Sequence, residues 1–216
     1  MSISTPFSQM LRERTLETRK QVGSGPFMRD LMRGSGTRDD YAALLVQHYF
    51  VYVALEGAAE RMKNDPVAGP FITPALTRVP ALTRDLRYLL GDNWRAKISP
   101  LPSTSHYVHR IDTVAATWNA GFVAHHYTRY LGDLSDGHII RTLMQRQFGF
   151  DTDGVEFYLF DQILRPKSFK EEYWARLDAT GWGDEDRGRI VDEVLLAYRY
   201  ATEVLDELQS VKASAR

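Results

Sequence analysis

Arg129, Gly132, Asp133, Asp136 and Gly137 are the residues of this chain whose types and spacing most suggest chemistry. They lie in and just before the stretch YLGDLSDGH (130–138), inside a segment from about Gly121 to Phe148 whose apolar positions recur with a helical period. Two carboxylates three residues apart share the general face of a helix, and Arg129 is spaced to pair with Asp133. Each interior glycine costs a helix roughly 1 kcal/mol relative to alanine. Two so close together imply a gain from the missing side chains, such as a kink or the approach of a flat ligand to bare backbone. For the charges alone, a solvated Arg129–Asp133 surface pair is an equally natural reading.

Other reaction classes have little support. His125 and His126 are adjacent, so on a helix they point about 100° apart and cannot share one ion. His106 and His109, at i and i+3, could form a ligand pair, but no Glu-x-x-His pattern accompanies them. They are read as surface or satisfied core histidines, and no metal ligand is assigned. There is no cysteine, which removes disulfides, thiolate metal sites and cysteine nucleophiles together and agrees with a reducing cytoplasm. No Gly-x-Ser-x-Gly elbow or phosphate-cradling glycine loop occurs.

The elements that must position the central stretch are helical. Ile190, Val194, Ala197, Tyr198, Ala201, Val204, Leu205 and Leu208 recur at three and four, as do Tyr41, Leu44, Leu45, His48, Tyr52, Leu55, Ala59 and Met62. The second series begins at a capping box, Thr37 with Asp40, after the breaker GSG. Further helices are expected near 6–22, 27–33, 79–91, 103–118, 121–148, 167–179 and 184–210, separated by Pro- and Gly-rich pieces such as SPLPS and TGWGDED. No alternating run is long enough for a sheet, the best being FYLF at 157–160. The fold expected is a single all-α domain over 1–209, with a frayed tail at 210–216. The 27 basic and 28 acidic residues leave a net charge of −1, unlike the basic footprint of a nucleic-acid binder. The first residues, MSISTPFSQMLRERT, lack an apolar signal core, and no apolar run is expected to span a bilayer.

The segment HHYTRYLGDLSDGHIIRTLMQRQFG (125–149) resembles the distal helix of the heme oxygenases, whose pattern is close to H-x-Y-x-R-Y-L-G-D-L-S-G-G-Q. The resemblance extends through FSQMLRERT (7–15), FMRDLM (27–32), YVALE (52–56) and FYLFDQI with SFKEEY (157–173). It implies an all-helical fold with a heme-sized pocket between a proximal and a distal helix. It also implies cleavage of heme to biliverdin, carbon monoxide and ferrous iron with dioxygen and an external electron donor. Gly132 and Gly137 then match distal glycines that let backbone approach the ligand. Asp133 matches the family's catalytic aspartate, which holds a water network, and Tyr52 and Arg129 match other members of that network. Arg12, Tyr127 and Lys170 match contacts to the heme propionates.

Four positions depart from the pattern, one of them Gly23, where the family often has a glutamate that orients the ligating histidine. TLETR places Arg19 where the family has the histidine that ligates iron, and a guanidinium offers donors only. Asp136 stands at the first glycine of the family's G-G pair, and Trp174 at an arginine facing the propionates. The alternative that follows is a heme-oxygenase-like protein that serves as a non-catalytic binding or regulatory module, for another tetrapyrrole, a protein partner or no heme at all. Arg19 and Asp136, set by the resemblance on opposite sides of the ligand plane, are then expected to meet in a bidentate ion pair that fills the vacated space when no ligand separates them.

Overall fold

The computed structural model describes residues 5–214, and no strand occurs among them. Eight helices carry the fold: α1 (Phe7–Ser24), α2 (Pro26–Met32), α3 (Arg38–Met62), α4 (Val79–Leu90), α5 (Pro102–Thr117), α6 (Asn119–Phe148), α7 (Pro166–Ala179) and α8 (Asp184–Ser214). The FYLF stretch is no strand: Glu156–Tyr158 is a single 3-10 turn.

Local chemistry sets the ends of these elements. Thr37 and Asp40 form the expected capping box, Asp40 N–H donating to Thr37 Oγ1 at 3.0 Å and Thr37 N–H to Asp40 Oδ2 at 2.8 Å. Pro26, Pro102 and Pro166 open α2, α5 and α7, where a missing N–H costs nothing. Gly149, at φ 71°, ends α6 in the left-handed region. The first turn of α1 is held by Asp178 of α7, which accepts from Ser8 N at 2.7 Å and Ser8 Oγ at 2.9 Å.

One expectation needs correction. Residues 210–214 do not fray but continue α8, because Lys212 is drawn to Asp30 at 2.8 Å and Asp40 at 3.2 Å with its side chain only 7% exposed. The last two expected tail residues, 215–216, and the first four of the expected domain lie outside the described residues. Helix α3 is long and apolar enough to cross a membrane by length and composition alone, with a window of mean hydropathy 1.3. That window is 56% buried: α3 packs against α4 and α5, and Tyr41, Leu45, Tyr52, Leu55 and Ala58 reach the core. A central core helix passes the same test as a membrane span.

Helices α5, α6 and α8 are joined at Glu193. Arg110 binds its carboxylate through Nε at 2.8 Å and Nη2 at 2.5 Å, and His125 Nε2 lies 2.7 Å from Oε1. Burial lowers the His125 pKa, so the ring is neutral and Nε2 carries the proton it donates. His126 points away, to the Tyr173 hydroxyl at 2.9 Å. The adjacent histidines thus serve separate core contacts, while His106 and His109 are exposed.

Burial acts against the charge on Glu193, but the hydrogen bonds from His125 and Arg110 outweigh it and bring its pKa from 4.5 down to about 2. A lowered carboxylate pKa stabilises the fold above the unfolded value, and that stability is lost as pH falls through the window from 4.5 to about 2. In denaturant unfolding across that range, Glu193→Gln should flatten the acid slope and cost on the order of 2–3 kcal/mol at neutral pH. An unchanged slope would show that Glu193 contributes little.

Candidate functional site

The site begins with Asp85, fully buried on α4. Its carboxylate accepts from Glu156 N at 3.0 Å and Phe157 N at 2.8 Å, fixing the turn that carries Tyr158. Burial raises the Asp85 pKa to about 6 against those hydrogen bonds. Arg78 secures the following residues, donating to Leu159 O at 2.6 Å and stacking 4.2 Å over the Phe160 ring. Tyr158 is thereby pressed against α6 at Gly137, where a Cβ would lie 2.9 Å from its ring.

Between α1 and α6, with α3 and α8 closing the sides, lies a cavity of about 180 Å³. Its wall includes Arg19, His48, Tyr107, Arg129, Gly132, Asp133, Asp136, Gly137, Tyr158 and Tyr198 among apolar side chains such as Val22, Leu44, Ile140 and Leu205. The enclosed space is smaller than the heme-sized pocket expected, since pockets for drug-sized ligands hold roughly 300–1,000 Å³. Side chains from the facing helices reach into it.

Asp133 is the centre of the cavity's polar side. The Tyr52 hydroxyl, completely buried, donates to Asp133 Oδ2, and Arg129 Nη2 lies 3.6 Å from the same oxygen. Burial raises the Asp133 pKa, opposed by Arg129 and the Tyr52 hydrogen bond. Burial also raises Tyr52, helped by the Asp133 charge. For Arg129 burial opposes the charge, but Asp133 and Tyr52 outweigh it and keep the guanidinium protonated. His48, lowered by burial and by Arg129, is neutral. Arg129 Nε and Nη2, His48 Nδ1 and the hydroxyls of Tyr107 and Tyr158 are buried without a hydrogen-bond partner in the protein. Buried polar groups are ordinarily satisfied, so this cluster around one cavity fits a site that orders water or a polar ligand.

The glycines divide the work. Helix α6 continues as one element through both glycines. A Cβ at Gly132 would meet nothing within 4 Å, whereas Gly137 gives room to Tyr158. At the cavity's solvent edge Arg19 Nη2 and Asp136 Oδ2 form the expected pair at 2.8 Å, with side chains 41% and 60% exposed. It is therefore an edge contact through one pair of atoms rather than a bidentate, buried filling, and it bridges α1 to α6.

Tyr52 reaches Asp133 without lining the cavity, and the other four expected site residues do not line it either. The Arg12 guanidinium lies 4.2 Å over the Trp174 ring, Tyr127 is next to Trp174, and Lys170 Nζ donates to Ser135 Oγ at 3.1 Å. Tyr107, Tyr158, Tyr198 and His48 line the cavity without having been singled out as site residues. His48 reads as one more core position of its helix, and Tyr158 carries no spacing signal, since its place depends on Asp85 far away in sequence.

The fold and site define an all-helical protein with a small cleft between its first and sixth helices. Residues 5–207 match the family model for heme oxygenase. The chain is 34% identical to heme oxygenase 1 of Gallus gallus over all of this chain and 74% of that protein, and 34% identical to heme oxygenase 1 of Rattus norvegicus over 97% and 74%. Its structure superposes on heme oxygenase-1 of the cyanobacterium Synechocystis, solved in complex with heme, with a TM-score of 0.92, 31% identity and coverage of 98% and 96%. The heme oxygenase of Leptospira interrogans gives 0.89 at 32% identity, covering 94% and 100%. The chain belongs to the heme oxygenase family.

The two glycines yield a paired test. Gly132→Ala should stabilise the free protein by up to about 1 kcal/mol through helix propensity. Gly137→Ala should destabilise it by about 1–3 kcal/mol, because the methyl meets the Tyr158 ring held by Asp85. Equal effects in thermal unfolding would contradict the division between an open and a packed glycine.

Proposed function

We propose that the protein binds a tetrapyrrole of the heme type in the cleft between α1 and α6. The observation that carries this reading is the set of buried polar atoms without a hydrogen-bond partner, on His48, Tyr107, Arg129 and Tyr158, in the otherwise largely apolar wall that also holds Asp133. A flat, largely apolar ligand with polar edges matches such a wall. Family membership supports the same ligand class.

Iron is the part of heme that the residues do not fit. Arg19 occupies the position that the resemblance gives to the ligating histidine, and it has no lone pair to offer. The orienting glutamate of the pattern is replaced by Gly23, so the supporting partner is absent as well. The departure favours a binding or regulatory protein.

A second reading is favoured by one observation, the intact Tyr52–Asp133–Arg129 group. In it the protein cleaves heme to biliverdin, carbon monoxide and ferrous iron in the cytoplasm, with dioxygen and an external electron donor. The residues' own contribution would be to hold a proton at Asp133, whose raised pKa keeps it closer to neutral pH than a solvated carboxylate.

Titration of the purified protein with hemin tests the first reading. A saturable Soret change at one equivalent is expected, and the broad spectrum of free hemin throughout would overturn it. Product analysis with a reductase or ascorbate under air tests the second: Asp133→Ala should lower biliverdin formation by a factor on the order of a hundred. An unchanged rate would remove Asp133 from the chemistry.

A further inference from the structure

The two residues that depart furthest from the family pattern meet each other at the edge of the cavity, Arg19 Nη2 to Asp136 Oδ2 at 2.8 Å. Both line the space between α1 and α6, and both remain partly exposed, so the pair can part without stranding a charge in the core. A flat ligand admitted between the helices separates them, leaving a guanidinium facing one side of its plane and a carboxylate facing the other.

That pair of groups suits one kind of tetrapyrrole. A planar guanidinium stacks well on a neutral conjugated ring. Over ferric heme it would face a second positive charge while supplying no electron pair to the metal. A carboxylate, in turn, accepts hydrogen bonds from N–H donors that converge at the core of a ring carrying no metal. We propose that the cleft selects a metal-free tetrapyrrole, closed or linear, with Asp136 accepting from its pyrrole N–H groups and Arg19 stacked on the opposite face. The proposal rests on the tetrapyrrole-binding reading above and specifies its ligand. Gly132 leaves the adjoining stretch of α6 open, since a Cβ there would touch nothing.

The test is a parallel fluorescence titration of the protein with protoporphyrin IX, biliverdin and hemin. At least one metal-free ligand should bind about tenfold or more tighter than hemin, the margin expected of one hydrogen bond to a charged group. Tighter protoporphyrin identifies the closed class and tighter biliverdin the linear class. Asp136→Ala should weaken the metal-free ligand by a similar factor and leave hemin unaffected or improved. Arg19→His should reverse the preference, and hemin bound to that variant should show the absorption and electron paramagnetic resonance of a nitrogen-ligated iron. Hemin bound by the unaltered protein as tightly as either metal-free compound overturns the selectivity but keeps the tetrapyrrole site. Failure of all three to bind overturns the site itself.

Discussion

A carboxylate on the buried face of a 30-residue helix must be compensated, and the compensation of Asp133 organises this molecule. Tyr52 reaches it from α3 and Arg129 from one turn earlier on α6. Tyr52 can do so only because α3 is sunk in the core, which explains why that helix is apolar enough to resemble a membrane span. Removing water from Asp133 raises its pKa, and the same desolvation keeps the neighbouring His48 neutral. The site is thus a shared electrostatic unit of two helices, and neither helix could hold its polar residues without the other.

Around that unit the fold supplies fixed walls. Asp85 and Arg78 set the loop that brings Tyr158 onto Gly137, while Glu193 joins α5, α6 and α8 behind the cavity. Helix α1 is fastened at its N-terminus by Asp178 and touches α6 near its other end through Arg19 and Asp136. The wall that must part to admit a ligand is therefore closed by an exposed ion pair, a contact weak enough to open. The rigid and the yielding parts of the cleft are made of different interactions.

Most of the architecture was legible in the residues because helical periodicity, the Thr37 capping box and proline at helix starts are local signals. The end of α8 was not, since Lys212 is fixed by carboxylates on α2 and α3 that local pattern cannot associate with it. In the site, the stretch YLGDLSDGH identified Gly132, Asp133 and Asp136 directly. The distinct duties of Gly132 and Gly137 appear only in three dimensions, because what a glycine spares depends on what stands opposite. Arg12, Tyr127, Lys170 and Trp174 were placed by resemblance alone, and none of them is part of the cavity wall: Arg12 stacks on Trp174, while Lys170 is bound to Ser135.

The account has a single geometric core: the cleft between α1 and α6 is where a tetrapyrrole lies. A crystal structure of the protein with its tightest-binding tetrapyrrole tests this most directly. The ligand plane should lie between Arg19 and Asp136, with their 2.8 Å contact broken and Asp133 still hydrogen-bonded to Tyr52. A tetrapyrrole bound elsewhere on the surface, with the Arg19–Asp136 pair intact, would contradict it.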